Sequence, residues 1–172
     1  MDLKKVNLHP YVDYKISNVM SVKEKFGFCV TLYYSDGEKK ICQHAWYAKK
    51  TEASKARNSV IAQLHTRTYV VYPSIKVREL LVYWLEQIMR PEPSFTANSY
   101  HTYKNCIDKH IIPQIGNLKL MTLNQGHLSK LYKSLTEKYT SIPKLAKTIL
   151  NTSMRFALDK HLIMSNPCTD VD

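Results

Sequence analysis

Lysine, threonine and asparagine recur at helical spacing in the segment PKLAKTILNTSMRF. Lysine and arginine supply positive charge, and hydroxyl and amide groups form directed hydrogen bonds, so this mixture suits contacts to phosphates and to base edges. On a helix these side chains share one broad polar arc, made of Lys144, Lys147, Thr148, Asn151 and Arg155. The competing interpretation is a solvated helix face, since most surface lysines contact only water.

A second polar face belongs to the segment that begins near Asn98. It lies opposite Tyr103 and Ile107 on a predicted helix, and it carries Ser99, Thr102, Asn105 and Lys109. Of these, Ser99 and Thr102 are candidate contacts to nucleic acid.

A third candidate surface lies on two predicted strands. FGFCVTLYY alternates cleanly, so Phe28, Val30 and Leu32 fall on one face and Thr31 and Tyr33 on the other. The candidates on the next strand are Lys39, Lys40 and either Gln43 or His44. Which of them share the face of Thr31 depends on whether the segment 45–47 contains a bulge, because a slip of one residue exchanges the two faces.

The elements that must position these residues begin with a small sheet. A strand is predicted from Tyr11 to about Met20, and Ser35-Asp36-Gly37 joins FGFCVTLYY to KKICQHAWYA as a hairpin. Thr51 is the predicted N-cap of a helix whose apolar stripe is Ala53, Ala56, Val60 and Leu64. These patterns predict a three-stranded antiparallel sheet with one helix packed on the face of Phe28.

Four helices follow in the prediction. Ser74 caps the first, Asn98 or Ser99 the second, Thr122 the third and Ser141 the fourth, which has Pro143 in its first turn. The predicted stops are the turn PQIGN, which contains Pro113 and Gly116, and Asn166-Pro167. The fold class is therefore α+β, with an all-α four-helix part after the sheet.

Charge is the strongest global signal: the net charge is +11 and the isoelectric point is about 9.5. Up to Ile75 there are 12 basic and 6 acidic residues, and after it 13 and 8. Because both halves are basic, the charge indicates two surfaces that meet a polyanion and not one basic tail. No signal peptide or membrane-spanning run is evident, so the predicted location is the cytoplasm.

No cofactor is predicted. The four cysteines form no CxxC pair and are interpreted as free thiols. A zinc site made of Cys29, Cys42 and His44 is conceivable, but three ligands without the usual pairing favour ordinary strand residues.

The helical part resembles a known family. The core-binding domain of tyrosine recombinases, in particular of integrases from phages and conjugative transposons, is similar to this ordered set: Ser99-x-x-x-Tyr103, Ile112-Pro113-x-x-Gly116-x-Leu118-x-Leu120, the Thr122 helix, and Ala157-x-x-x-x-Leu162-Ile163-x-x-Asn166-Pro167. The resemblance implies a SAM-like helical domain whose second and last helices lie in successive grooves of a core DNA site. It makes Thr102, Lys144, Lys147, Thr148 and Asn151 the preferred contacts.

Residues 14–66 resemble the small amino-terminal domain of such integrases, through the predicted sheet, its helix and the run WYAKKTEASKA. The resemblance implies binding to arm-type DNA sites, with the sheet in the major groove. The expected organisation is a flexible leader at 1–10, an arm-binding domain at 11–68, a linker at 69–75, a core-binding domain at 76–168, and at 169–172 the start of a linker to a missing catalytic domain.

The expected function is sequence-specific binding of double-stranded DNA during integration and excision of a mobile element, together with other recombinase protomers and without a membrane. None of the twelve tyrosines has the arginine-rich setting that a nucleophile toward a phosphodiester needs, so this chain is not expected to be an enzyme. The alternatives are a stand-alone regulator that occupies recombination sites and an RNA-binding module.

Overall fold

A computed structural model describes residues 11–71 and 74–169 of the chain. The predicted leader at 1–10, two residues of the predicted linker, and residues 170–172 lie outside the described residues. The chain divides into two compact units, one within Asn7–Val71 and one within Tyr72–Asp172. They are called here the sheet unit and the helical unit, and the predicted α+β class is confirmed.

The sheet unit contains five strands: β1 (Tyr11–Ile16), β2 (Met20–Val22), β3 (Lys25–Gly27), β4 (Cys29–Tyr34) and β5 (Lys39–Gln43). The main sheet has the order β1-β4-β5 and both of its pairs are antiparallel, as predicted. The predicted turn at Ser35-Asp36-Gly37 is also present, and Gly37 has the left-handed φ of 83° that glycine tolerates best.

The single long first strand was a wrong prediction. The chain leaves the main sheet after Ile16, and β2 and β3 then pair with each other as a separate two-stranded ribbon. Its two-residue turn places Lys23 and Glu24 at φ values of 48° and 61°, the region that hairpin turns of the primed types require. Because neither residue is Gly, Asn or Asp, the sequence carried no turn signal here.

Helix α1 (Lys50–His65) packs its apolar stripe on the sheet, as predicted. Phe28, Val30 and Leu32 are fully buried in a core that includes Val60 and Leu64. The predicted cap was wrong: Thr51 lies inside the helix, and Lys49 is the N-cap residue, with no side-chain cap. Tyr69 also belongs to this core.

The helical unit begins with α2 (Val77–Tyr83), which continues into a π-helical turn (Trp84–Met89). It is followed by α3 (Ala97–Cys106), a second π-helical turn (Ile107–Ile111) and the short α4 (Ile112–Ile115). A 3₁₀ turn (Leu120–Thr122) leads to α5 (Gln125–Thr136) and α6 (Ile142–Asp159). The buried residues of α5 and α6 include Leu128, Leu131, Ile149, Leu150 and Met154.

Three of the four caps predicted for the helical unit are wrong. Thr96, not Asn98 or Ser99, caps α3, because its hydroxyl accepts a hydrogen bond of 3.1 Å from the Ser99 amide. Asn124, not Thr122, caps α5 through a 3.1 Å bond from the His127 amide.

The third wrong cap is Ser74. Lys76 is the N-cap residue of α2, and its amide donates to Oε2 of Glu79 at 2.8 Å. The next two amides donate to the carbonyls of Leu118 and Gly116 at 3.0 and 3.1 Å. The turn after α4 therefore satisfies the first amides of α2, which otherwise lack partners.

Two predicted helix stops are also displaced. Pro113 does not end the second predicted helix, because it lies in the first turn of α4, where its missing N–H costs no hydrogen bond. The last helix ends at Asp159, before Asn166-Pro167. His161 has a φ of 53°, and the amide of Leu162 donates to the carbonyl of Ala157 at 2.8 Å, which is a Schellman end. None of the helices in the described residues is long and apolar enough to cross a membrane.

Candidate nucleic-acid interface

The first candidate surface is the face of the main sheet that lies opposite α1. In the register, Thr31 lies between Lys15 and Ile41, Tyr33 between Asp13 and Lys39, and Cys29 beside Gln43. Because side chains alternate along a strand, these residues share one face. It is called here the outer sheet face, and it brings together four of the predicted contacts: Thr31, Tyr33, Lys39 and Gln43.

Lys40, whose face the sequence left open, does not lie on this face. It pairs with Leu32, which is fully buried, so its side chain leaves the sheet on the side of α1. His44 lies on that side as well. Its ring stacks on Phe28 with centroids 4.5 Å apart, its Nε2 lies 2.8 Å from the hydroxyl of Tyr69, and burial lowers its pKa.

The strand irregularity that decides the register lies between His44 and Tyr47. The amide of His44 donates to the carbonyl of Phe28, and Tyr47 pairs with Phe26. The three steps from His44 to Tyr47 therefore lie opposite the two steps from Phe28 to Phe26, which is a β-bulge. Beyond the bulge, Tyr47 packs against the core of the sheet unit while Trp46 is exposed.

Gln43 is less available than its exposure suggests. Its Oε1 accepts from the thiol of Cys29 at 2.8 Å, and its Nε2 donates to the carbonyl of His44 at 3.1 Å. A contact from this amide to an outside group therefore requires breaking bonds inside the sheet. Cys29 and Cys42 leave β4 and β5 on opposite faces, and the described residues contain no cluster of three metal-binding side chains.

The second candidate surface is on α6. Lys144, Thr148, Asn151 and Arg155 are all exposed and follow one another at steps of four, three and four residues, so they form one line along the helix. They are called here the α6 stripe. Ala146, Ile149, Leu150 and Met154 are fully buried on the other side.

Thr148 and its neighbour Lys147 differ in how available their polar groups are for a contact to a ligand. The hydroxyl of Thr148 donates to the carbonyl of Lys144 at 3.1 Å, so its lone pairs remain available as acceptors. Lys147 is half-buried, and its Nζ lies 5.4 Å from the centroid of the Tyr132 ring, which is a cation–π contact. Lys147 therefore has a role in packing α6 against α5, and it is not part of the stripe.

The two predicted contacts on α3 also differ. Thr102 is exposed, and its hydroxyl donates to the carbonyl of Asn98 at 2.9 Å. Ser99 is half-buried, and both its amide and its hydroxyl bond to Thr96. Ser99 thus belongs to the first turn of the helix, while Thr102 remains accessible.

One residue that supports the α6 stripe was not predicted as a site residue. Asn166 donates from Nδ2 to Oδ1 of Asn151 at 3.4 Å, and its own Oδ1 accepts from the amide of Cys168 at 2.9 Å. The sequence marked Asn166 only as a helix stop, because the contact spans 15 residues that form no regular pattern.

Residues 76–136 match the sequence model of a family described as phage integrase, N-terminal SAM-like domain. The match runs from the N-cap of α2 to the end of α5, so it includes Ser99 and Thr102 and excludes both the α6 stripe and the sheet unit. It supports the resemblance to integrases of the tyrosine recombinase type and points to a DNA-binding part related to site-specific recombinases. No curated protein and no solved structure matches the chain.

Proposed function

We propose that this chain binds double-stranded DNA as the non-catalytic part of a site-specific tyrosine recombinase, with its helical unit on core-type sites and its sheet unit on arm-type sites. The observation that carries the proposal is the α6 stripe. It places two cations, a hydroxyl and an amide in one exposed line on α6, the helix that follows the segment matching the integrase family.

The composition of the stripe suits two kinds of contact to DNA. Lys144 and Arg155, at its two ends, carry charge suited to phosphates, and Thr148 and Asn151 between them carry the groups suited to base edges. The four residues span positions 144–155, about 16 Å of helix at 1.5 Å per residue. That is enough to reach a phosphate on each side of a contacted base step.

The sheet unit supports a second contact to DNA. Residues 11–71 contain ten Lys and Arg against five Asp and Glu. Lys15 and Lys39 lie on the outer sheet face beside Thr31 and Tyr33. A sheet face with this mixture fits the major groove, which admits a two-stranded ribbon.

The test begins with the purified chain and a library of random 40-base-pair duplexes. Two unrelated enriched sequences are expected, one for each unit. For each sequence, the affinity is measured over a salt series. A logarithmic slope of about −0.9 per neutralised phosphate is expected, with much weaker binding to a scrambled duplex.

Matched variants assign each sequence to its unit. Lys144→Ala combined with Arg155→Ala should weaken only the core-type sequence, and Lys15→Ala combined with Lys39→Ala only the arm-type sequence. Lys133→Ala, at an exposed lysine of α5, is the control and should change neither. Equal and weak binding to every duplex, or stronger binding to single-stranded RNA, would refute the proposal.

A further inference from the structure

Trp46 lies flat on the backbone of Gly27, at the end of the outer sheet face. A Cβ atom built on Gly27 would be 2.7 Å from Cε3 and 2.9 Å from Cζ3 of the indole ring, closer than carbon atoms approach one another. No positive φ explains the glycine, since Gly37 is the one glycine with that conformation. Glycine is therefore needed at position 27 because it has no side chain and so leaves room for the indole.

The β-bulge between His44 and Tyr47 aims the indole outward. Tyr47 packs against the core, so the residue before it points to the opposite face. Trp46 is 41% exposed although it is one of the largest apolar side chains, and Trp84, the other tryptophan, is 2% exposed. Bulges commonly re-aim a side chain near a functional site.

Three more exposed apolar side chains lie on the same face as the indole. Met20 lies directly across from Gly27, and Val22 lies one step further along the ribbon, opposite Lys25. Met20, Val22 and Ile41 are 41%, 50% and 62% exposed. Large apolar side chains exposed beside cations suit a binding site, and Lys25, Lys15 and Lys39 on this face are complementary to a polyanion.

We infer that Trp46, seated on Gly27 and flanked by Met20, is a specificity-determining residue that contacts the 5-methyl group of thymine in the major groove. The inference rests on the proposed function of the sheet unit. The thymine methyl is the one apolar group that base pairs present in the major groove, so an apolar platform at the end of a DNA-facing sheet favours thymine over the other bases.

The decisive experiment changes the DNA and leaves the protein intact. Each thymine of the arm-type duplex is replaced in turn by deoxyuridine, which removes the methyl group and keeps the base pair. At one or two positions the wild-type chain is expected to bind the deoxyuridine duplex about fourfold more weakly than the thymine duplex. A fourfold change corresponds to about 0.8 kcal/mol, the free energy of burying one CH₂-sized group. Equal affinity for thymine and deoxyuridine at every position would overturn the inference.

Variants then identify the residue. Trp46→Ala should bind the thymine and deoxyuridine duplexes equally, and Gly27→Ala, which displaces the indole without removing it, should reduce the difference. Val82→Ala removes an exposed apolar side chain from α2 and should keep the full difference. A full thymine preference in Trp46→Ala would also overturn the inference.

The outcomes separate this inference from the proposed function. If the wild-type chain enriches no duplex, the proposed function fails. If it binds an arm-type sequence without distinguishing deoxyuridine, only the role of Trp46 fails. If Trp46→Ala instead changes the sedimentation of the free chain and leaves DNA binding unaltered, the platform is a protein contact and the inference is wrong.

Discussion

The hydroxyl of Tyr100 donates a hydrogen bond of 2.6 Å to Oε1 of Glu86, and this bond joins α3 to the π-helical turn that follows α2. The other carboxylate oxygen, Oε2, accepts from Nη1 of Arg90 at 2.9 Å. The guanidinium carbon of Arg90 lies 5.1 Å from the centroid of the Tyr100 ring, which closes the triangle. Each of the three side chains therefore contacts the other two.

The first prediction concerns the pH dependence of this triangle. The hydrogen bond from Tyr100, followed by the bond from Arg90, holds the pKa of Glu86 below its ordinary value of 4.5. A carboxyl group with a lowered pKa stabilises the fold above its unfolded pKa, and that contribution is lost as the pH falls through the folded pKa. Tyr100→Phe should therefore lower the urea midpoint at pH 7 and have much less effect at pH 3.

Tyr139→Phe, at an exposed tyrosine of the same unit, is the matched control and should leave the midpoint unchanged at both pH values. The same loss of stability in Tyr100→Phe at pH 3 and pH 7 would contradict the role assigned to the charged form of Glu86.

The fold could be predicted where the pattern was regular. Phe28, just before β4, and Val30 and Leu32 within it are buried in alternation with more exposed residues, and this alternation predicted which face of the strand lies in the core. The first residues of helices were harder to predict. At the start of α3, for example, Thr96, Asn98 and Ser99 are all good caps within four residues. The choice among them depends on where the chain leaves the preceding turn, which is decided by packing and not by residue type.

The second prediction separates affinity from specificity on the α6 stripe. Lys144→Ala should weaken every single-base variant of the core-type duplex alike and reduce the salt slope by about 1, because it removes a phosphate contact. Asn151→Ala should keep the slope and lose about 1–3 kcal/mol of discrimination at one base pair. The measurement is a set of affinities for single-base variants of the core-type sequence at three salt concentrations. Unchanged discrimination in Asn151→Ala would remove this residue from the set of base contacts.

The third prediction concerns Asn166, which fixes the orientation of the Asn151 amide. Since the amide of Cys168 occupies Oδ1 of Asn166, the Nδ2 group of Asn166 faces Oδ1 of Asn151, and the Nδ2 group of Asn151 points away. Asn151 is then expected to donate to an acceptor on the base. Asn166→Ala should broaden the base preference at that position and leave the salt slope unchanged.

The conservative variant Asn166→Asp tests the same contact. It keeps the acceptor for Cys168 and replaces the donor to Asn151 by an acceptor oxygen, so the Asn151 amide should turn over and the base preference at that position should change. If either variant keeps the wild-type base preference, Asn166 has no role in positioning Asn151.

The candidate site shows the same division between what sequence patterns can and cannot predict. The α6 stripe was predictable, because its spacing is that of a helix and its polarity contrasts with the buried side. The face on which Lys40 lies could not be predicted, because it depends on pairing with Leu32, a contact between strands. The outward direction of Trp46 could not be predicted, since it follows from a bulge that leaves no clear signal in the residue types.

The last prediction concerns Gly116, whose carbonyl accepts the amide of Arg78 at 3.1 Å. A Cβ on Gly116 would be 2.6 Å from the carbonyl oxygen of Ile112, so the backbone of this turn must shift to accommodate any side chain. Gly116→Ala should therefore destabilise the helical unit by about 1–3 kcal/mol, in the range that overpacking costs. Gly126→Ala is the comparison and should cost less: its Cβ would be 3.2 Å from Oδ1 of Asn124, a side-chain atom that can shift by a few tenths of an ångström, and alanine favours the helix there. Urea unfolding followed by far-ultraviolet circular dichroism measures both variants, and equal stability of the two would contradict the role of this turn in holding the start of α2.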